Sequence, residues 1–389
     1  GGGCLMHSAS SRVSSVVILG LLVAGCSGGG GTPAPAGASQ PAQASAPASS
    51  SAASAAGGSA PAGADVCTDP KATAGTTLTF ASYGGVYQKA QREGWLDPYS
   101  KLTGVKFTES EDSANATIKA QVESGQVTWD VVDVGNDFGL DANKDVLEPL
   151  DYNLIHQSEI LDGFSGPYRV ADITYGVVLA YRTDKTNGQV PQGWADFFDL
   201  TKFPGKRGMY DYSAGGIFEV ALMADGVAPK DLYPLDTARA IKKLDTIKDQ
   251  LVFWPGGAKS QELIGSGEVT MSLMWNGRAW SAKNLDSKPV AIQWNQQLLT
   301  ADFFVVPKGT PNKDEAMKFI AWATCANNNA APSQFIPYGP TNKNSKPQAD
   351  KVPDLAVSNV NDSTAYFNDQ YLVDNAKTLD DAYNAWKTK

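Results

Sequence analysis

The sequence predicts an α/β fold, because short apolar runs alternate with helical patterns over most of the chain. This alternation begins near Cys67 and continues to Lys389, a length that exceeds the usual single domain, so two lobes are expected. The chain has 9 Trp, 14 Tyr and 14 Phe, enough for a large core with aromatic side chains left for surfaces or a cleft.

The first part of the folded region is typical of βαβ units. Its elements are a strand over 77–81, a helix over about 86–94, a strand over 105–108, a helix over 115–124 and a strand over 129–134. Tyr83, Gly84 and Gly85 lie between the first strand and the first helix. At this point backbone can approach a ligand closely, and a helix N-terminus begins.

The second part continues the alternation with longer elements. We predict a strand over 172–181, helices over 194–200, 219–225 and 236–251, strands over 269–275 and 302–306, and helices over 314–325 and 380–386. The helix over 236–251 is the clearest of these, because its apolar residues fall on one face. They are Ala238, Ile241, Leu244, Ile247 and Leu251.

The N-terminal segment resembles a bacterial lipoprotein signal. An apolar run over 16–24 follows Arg12 and ends in L-V-A-G-C, so residues 1–25 are predicted to be a signal peptide and Cys26 the lipidated first residue of the mature chain. The run is too short to span a bilayer. The alternatives are an uncleaved anchor or a buried strand.

Residues 26–66 are predicted to be a disordered linker, because they consist almost wholly of Gly, Ser, Ala, Pro, Thr and Gln. The expected location is the cell envelope, on the outer face of the cytoplasmic membrane or in the periplasm, with the membrane reached through the lipid anchor. Cys67 and Cys325 are then the two thiols of the folded region, and an even pair in an exported chain favours a disulfide over two unrelated buried thiols.

Charge and motifs argue against several function classes. A net charge of -9 and a pI near 4.8 argue against nucleic-acid binding. His156 is the single histidine past the signal, and neither a nucleophile elbow nor a nucleotide-binding glycine motif occurs in the folded region. We expect no enzyme, no cofactor and no metal site, with an exported α/β hydrolase as the less favoured alternative.

Seven segments resemble extracellular solute-binding proteins of ABC importers, in the polyamine-binding branch that includes γ-aminobutyrate-binding relatives. Their order along the chain is more specific than any one motif. The segments are F-A-S-Y-G-G-V-Y, W-D-V-V-D-V, T-Y-G-V-V-L-A-Y-R, W-A-D-F-F-D-L-T-K-F-P-G-K-R-G, G-E-V-T-M-S-L-M-W-N-G-R, A-D-F-F-V-V-P-K-G and P-Y-G-P-T-N.

The resemblance implies a two-lobe, type II periplasmic-binding-protein fold with the ligand in the interlobe cleft. Lobe 1 would comprise 67–174 plus 300–340, and lobe 2 would comprise 175–299 plus 341–389. Both cysteines of the folded region then fall in lobe 1. The implied partners are a small amine-bearing solute and the transmembrane subunits of a permease, and the expected state is a monomer.

The resemblance also implies site residues. Asp302 matches the acid that pairs with a ligand amine, Trp275 an aromatic that packs along the ligand, and Tyr83 precedes the Gly84-Gly85 turn. Arg278 is suited to a ligand carboxylate, because its planar fork binds one bidentately and repels an all-cationic polyamine. Further candidates in cleft loops are Asp211, Tyr212 and Tyr338.

The ligand remains open between two classes at this point. Ser213, Ala214, Gly215 and Gly216 stand where polyamine receptors tend to place further acids, and Thr300 stands where they often have an aromatic. Fewer acids and one arginine favour a zwitterion such as γ-aminobutyrate over a polyamine. The remaining alternatives are a sensor without transport and an iron receptor of similar fold that uses Tyr210, Tyr212 and Tyr338.

Overall fold

One mixed sheet runs through the part of the chain that the computed structural model describes, residues 65–389. The predicted signal peptide, Cys26 and nearly all of the predicted linker lie outside the described residues. The strands are β1 (Thr77–Ala81), β2 (Lys106–Ser110), β3 (Val131–Val134), β4 (Ser165–Gly166), β5 (Arg169–Arg182), β6 (Arg207–Tyr210), β7 (Leu251–Trp254), β8 (Met271–Trp275), β9 (Val290–Val305), β10 (Gly339–Pro340) and β11 (Ala365–Tyr366).

Helices flank this sheet. They are α1 (Gly85–Gln91), α2 (Asp97–Thr103), α3 (Asn115–Ser124), α4 (Trp194–Phe198), α5 (Ile217–Ala224), α6 (Thr237–Asp245), α7 (Gly257–Ser266), α8 (Asn276–Asn284), α9 (Lys313–Ala323), α10 (Ala326–Asn329), α11 (Asp369–Asp374) and α12 (Ala376–Lys387). A wider π-helical turn, Arg92–Leu96, joins α1 to α2. Within residues 65–389, none of the helices combines the length and apolarity needed to cross a membrane.

Two long antiparallel strands connect the two halves of the sheet, whose main order is β2-β1-β3-β9-β5-β8-β6-β7. The C-terminal end of β9 pairs with β3, and the C-terminal half of β5 pairs with β8. Strands β5 and β9 pair with each other over most of their 14 and 16 residues. The chain therefore passes between the halves along these two strands.

Separate cores form on the two halves. In the first lobe, side chains of β1, β9 and α9 pack together, with Phe80 in edge contact with both Phe304 and Phe319. In the second lobe, α4 to α8 pack on β6 and β8, and the C-terminal helix α12 adds Leu379 and Trp386. Tyr175 and Trp275 contact both cores, so they mark the junction. The exact lobe boundaries given above stay a prediction.

Several elements differ from the prediction for identifiable reasons. Helix α6 ends at Asp245, because Leu251 begins β7, which pairs in parallel with β6. That pairing overrides the helical periodicity of the sequence. Strand β9 begins at Val290 rather than at 302, since its polar first half is held by pairing with β5.

Helix α8 was also missed, because Gly277 lowers helix propensity in its first turn. A side chain at this position would meet the ring of Tyr338, with a Cβ only 2.5 Å from its nearest atom. Tertiary packing thus explains a glycine that local propensity disfavours. The N-terminus of the first lobe is held by a disulfide between Cys67 and Cys325, with a Cα–Cα distance of 5.7 Å.

Candidate functional site

A cavity of about 530 Å³ lies between the two cores and is lined by residues from both lobes. The lining includes six of the seven residues proposed from the sequence to bind the ligand. They are Tyr83, Tyr212, Trp275, Arg278, Asp302 and Tyr338. The first and the last of the six, Tyr83 and Tyr338, are more than 250 residues apart in the sequence, so the fold brings them together.

Asp211 is the candidate that the structure does not bring to the cavity. Tyr210 and Tyr212 both line the cavity, and alternation along extended chain directs the intervening side chain to the other side. The Asp211 carboxylate accepts hydrogen bonds there from the Tyr383 hydroxyl, at 2.7 Å, and from the Lys387 ammonium, at 2.5 Å. Partial burial acts to raise the Asp211 pKa, but these donors hold it below its ordinary value. The Asp211 carboxylate is therefore held outside the cavity by residues of α12.

Three buried aspartates lie on adjacent strands at one side of the cavity. Asp133, Asp172 and Asp302 belong to β3, β5 and β9, which are neighbours in the sheet in the order β3-β9-β5. Asp133 and Asp172 are fully buried, and Asp302, which lines the cavity, is 7% exposed. We call these three residues the acid wall.

The hydrogen bonds to Asp133 and Asp172 of the acid wall come from neutral side chains. Ser82 Oγ and Gln91 Nε2 lie 3.1 and 2.6 Å from Asp133 Oδ2, and the Tyr87 hydroxyl lies 3.3 Å from Asp172 Oδ2. No lysine or arginine within residues 65–389 forms an ion pair with any of the three carboxylates.

Burial shifts the titration of these acids upward, because it disfavours the charged form. The pKa of Asp302 lies well above its ordinary value, first through burial and then through repulsion from Asp133 and Asp172. Burial also raises the pKa of Asp133 to about 7, although its hydrogen-bond donors act to lower it. A cation at Asp302 would relieve the unfavourable burial of negative charge.

Aromatic rings surround the space in front of Asp302. Trp275, the last residue of β8, makes edge contacts with Tyr175 and Tyr210, with ring centroids 6.2 and 5.4 Å apart. The ring centroids of Tyr338 and Tyr175 are 5.7 Å apart. Such rings attract a cation through their electron-rich faces and supply apolar surface for a methylene chain. This part of the cavity is suited to an alkyl ammonium group.

Arg278 supplies a positive charge to the same cavity. The residue lies in the first turn of α8 and is only 2% exposed. Its Nη2 donates one hydrogen bond, of 3.3 Å, to the Gly84 carbonyl, and its Nε has no partner among the described residues. Burial lowers the pKa of the guanidinium from its ordinary value, as expected when a charge has few partners.

Other buried arginines are satisfied far better than Arg278. Arg207 donates to the carbonyls of Phe197, Phe203 and Gly205, although it too is fully buried. Arg169 donates to two carbonyls and forms an ion pair with Asp369 at 2.7 Å. A guanidinium has five N–H donors. Arg278 therefore keeps N–H groups available for a ligand, whereas Arg207 and Arg169 use theirs within the protein.

Glycines of both lobes approach the Arg278 guanidinium closely. A Cβ at Gly85 would lie 3.0 Å from Nη1, and one at Gly257 would lie 2.5 Å from Nε. Gly85 also has a φ of 60°, a conformation that side chains disfavour. The guanidinium is thus held between the first turn of α1 and the first turn of α7, at the junction of the lobes.

The far side of the cavity carries two further contacts between the lobes. The Tyr212 hydroxyl donates to Asp137, whose pKa is raised by burial. Asp369, the first residue of α11 in the C-terminal segment predicted to belong to the second lobe, accepts hydrogen bonds from Asn136 at 2.9 Å and from Arg169. These contacts hold the cavity walls together in the conformation described.

Comparison with known protein families agrees with this architecture. Residues 94–357 match the family model described as bacterial extracellular solute-binding protein, which is more than half of the chain. The chain belongs to the bacterial extracellular solute-binding proteins. This membership confirms the family predicted from the seven segments and agrees with the expectation of a non-enzymatic function.

Individual relatives of this solute-binding protein bind different amines. A gamma-aminobutyric acid-binding protein of Pseudomonas aeruginosa is 34% identical over 331 residues, which covers 80% of this chain and 91% of the relative. A spermidine/putrescine-binding periplasmic protein of Haemophilus influenzae is 26% identical and covers 64% of this chain and 71% of the relative. A solved GABA receptor matches with a TM-score of 0.74 at 38% identity, over 80% of this chain and 98% of the receptor.

Sequence reasoning missed Asp133 and Asp172 in the site of this binding protein. A signal for both was present, since each acid interrupts an apolar strand, in W-D-V-V-D-V and in R-V-A-D-I-T-Y. Asp302 stands beside an apolar run in the same way, and a carboxylate in such a run needs a cation or hydrogen-bond donors. Tyr87 and Tyr175 had no comparable signal, and only the fold shows that they line the cavity.

Proposed function

We propose that this solute-binding protein captures a zwitterionic ω-amino acid of the γ-aminobutyrate class and presents it to an ABC importer. One observation carries the proposal. A buried guanidinium with unused donors and a buried carboxylate without a cation line the same cavity. A ligand with an ammonium at one end and a carboxylate at the other would complete both.

The energetic reason is the high cost of burying an unpaired charge. Removing one member of a buried ion pair costs about 3 to 5 kcal/mol, so a ligand that lacks one of the two charges loses a contribution of that order at Asp302 or at Arg278. Arg278 offers two parallel N–H groups, which match the two oxygens of a carboxylate. Specificity then follows from both charges together, since a ligand with one charge leaves the other protein group unpaired.

Binding would be accompanied by closure of the two lobes about β5 and β9. Arg278, on a second-lobe helix, contacts Gly84 of the first lobe, and Tyr212 contacts Asp137 in the same way. We propose that these contacts form as the lobes close, with lobe 1 at 67–174 plus 300–340 and lobe 2 at 175–299 plus 341–389. Closure excludes water and strengthens the charge interactions inside.

A polyamine is the second candidate, and the acid wall favours it. The three carboxyl groups of the acid wall outnumber the one arginine of the cavity, and Glu111, Asp112 and Asp137 add three further acids to its lining. A diamine would pair with Asp302 at one end and Asp137 at the other. Arg278 would then repel it, which is why we rank this candidate second.

The remaining parts of the proposal concern attachment and partners. We propose that Cys26 carries the lipid that anchors the protein to the membrane, that the linker lets the folded part stand clear of the surface, and that the protein works as a monomer. The transmembrane subunits of the permease would receive the solute. Incorporation of radiolabelled palmitate into the full chain, lost in Cys26→Ser, tests the anchor.

Ligand-dependent thermal unfolding tests the ligand class. A ligand that binds only the folded state raises stability as RT ln(1 + [L]/Kd), about 2.7 kcal/mol at 100 times Kd. We expect γ-aminobutyrate to raise the unfolding temperature, and butyrate and butylamine, which each lack one charge, to have little effect. If only putrescine raises the unfolding temperature, the ligand is a polyamine rather than a zwitterion. If no amine raises it, the proposed function is contradicted.

A further inference from the structure

The three acids of the acid wall occupy one face of the sheet, beneath α1. Asp133 pairs across the sheet with Phe304, two residues from Asp302, and residues directly opposite or two apart share a face. Strand β5 has one extra residue between Ala171 and Ile173. This residue is Asp172, and the irregularity directs its side chain toward Tyr87 and Gln91 of α1.

The hydrogen bonds around these acids are too few for three ionised carboxylates. Asp133 Oδ1 and Asp172 Oδ1 are buried and have no partner within the described part of the chain. Gln91 divides its amide between Asp133 and Asp172, at 2.6 and 3.5 Å from their Oδ2 atoms. Three buried carboxylates that share so few donors and have no cation cannot all stay ionised. Protons must therefore neutralise part of their negative charge.

We propose that Asp133, Asp172 and Asp302 share their protons as one unit, and that an ammonium group arriving at Asp302 releases a proton from this unit. The inference rests on the proposed capture of an amine. In it, Asp302 contacts the ligand, whereas Asp133 and Asp172 are positioning residues that set the protonation of Asp302. They act through Asp302 and need no contact with the solute.

The exchange balances in atoms and in charge. The carboxylic acid of Asp302 loses its proton to water, its O–H bond breaks, and the resulting carboxylate pairs with the R–NH3⁺ group of the ligand. The net charge of the buried site is unchanged, because one positive group replaces another. Below the titration range of the unit, protons compete with the amine, and affinity falls.

Neighbouring groups do not supply an alternative cation at Asp302. The titratable and charged side chains that face the acid wall from β5, β6, α1, α8 and the adjoining loops are Tyr83, Tyr87, Tyr175, Tyr210, Tyr338 and Arg278. Burial raises the pKa of each of these tyrosines, so they remain neutral donors at ordinary pH. Arg278 donates a hydrogen bond to the Gly84 carbonyl, and none of the three acids is among the groups that shift its pKa.

Isothermal titration of the folded protein with γ-aminobutyrate, and separately with putrescine, measures the released protons. At pH 6, titrations in MES and in ACES differ in apparent enthalpy by the number of protons released times the difference in buffer ionisation enthalpy. We expect close to one proton released per amine group that pairs with Asp302. We also expect affinity to rise about tenfold per pH unit below the titration range of the unit.

Substitutions at the two positioning residues give a readout that a merely structural role would not produce. Asp133→Asn and Asp172→Asn each remove one repelling charge, so Asp302 ionises more easily. In either variant, the pH below which amine affinity falls should shift down by about 1, because Asp302 then ionises at lower pH. The number of protons released on binding at pH 6 should decrease. Two separate variants keep the test informative if one of them fails to fold.

Glu219→Gln is the matched control. Glu219 is another fully buried acid whose pKa is raised by burial to about 7, but it pairs with the Tyr233 hydroxyl at 2.7 Å, away from the cavity. This variant should leave the proton count of binding unchanged. Amine binding without proton release, with affinity constant between pH 5.5 and pH 8, would overturn the inference but leave the proposed function intact. Absence of amine binding would instead contradict the proposed function.

Discussion

The acid wall and Arg278 are both buried and lack an opposite charge among residues 65–389, yet they are held in different ways. Asp133, Asp172 and Asp302 project from adjacent strands of one sheet, on the side of the first core. Arg278 projects from a second-lobe helix and is enclosed by glycines of both lobes. The acids of the proposed ammonium site therefore come from one lobe, whereas the proposed carboxylate site is completed only when both lobes meet.

The largest effect should come from removing the charge of the ammonium site. Asp302→Asn should weaken binding of every amine by more than about 100-fold, because a buried ammonium without its partner costs about 3 to 5 kcal/mol. Isothermal titration with γ-aminobutyrate and putrescine measures the loss. Asp211→Asn, which changes a carboxylate outside the cavity, should keep both affinities. Retained amine binding by Asp302→Asn would show that the acid wall is not the ammonium site.

Removing the guanidinium should separate the two ligand classes. Arg278→Ala should weaken γ-aminobutyrate by about 30-fold or more, since truncating one member of a buried charge pair costs 2 kcal/mol or more. Putrescine, which has no carboxylate, should bind as well as before or better. Arg278→Lys is the informative companion variant, because it retains the charge but loses the planar fork. Unchanged γ-aminobutyrate affinity in Arg278→Ala would make the carboxylate role wrong.

A smaller effect is expected from the Trp275 ring, which lines the cavity together with Asp302 and Arg278. Trp275→Leu should weaken both amines by about tenfold, because cation–π attraction contributes about 0.5 to 2 kcal/mol. The equal effect on both ligands distinguishes this ring from Arg278. Trp280→Leu, on the same helix as Arg278 but outside the cavity lining, is the control. A loss confined to γ-aminobutyrate would place Trp275 at the carboxylate instead.

The smallest effect concerns stability without ligand. The pKa of Glu219 is raised to about 7 by burial, so the folded state holds this proton more tightly than the unfolded state. Its contribution to stability is present at low pH and is lost as pH rises through about 7. Glu219→Gln should therefore flatten the dependence of the unfolding temperature on pH between 5 and 8. An unchanged slope would mean that this carboxyl ionises freely in the folded state.

The sequence carried more information about the acid side of the cavity than about the arginine side. An acid within an apolar strand is a local signal that Asp133, Asp172 and Asp302 share, although Asp302 was named through the family resemblance. The enclosure of Arg278 by Gly84, Gly85 and Gly257 joins segments far apart in the chain, and no local pattern indicates it. The sequence named both Asp211 and Tyr212 as candidates, and it could not show which of the two lines the cavity, because the alternation along 210–212 depends on where β6 ends.

Some elements of the fold follow from local sequence pattern, whereas others form only through pairing with distant strands. Strand β1 and helix α3 have the bounds predicted from the sequence, because their patterns are complete within the segment. The first half of β9 is rich in Gln and Asn and becomes a strand through its pairing with β5. The crossover between the lobes, which the proposed closure depends on, was therefore only half visible in the sequence.

A crystal structure of the protein with γ-aminobutyrate tests the central claim most directly. We expect the ligand ammonium within about 3 Å of the Asp302 carboxylate and both ligand oxygens at hydrogen-bond distance from the Arg278 guanidinium. A ligand bound in the opposite orientation, or bound without contact to either side chain, would contradict the account.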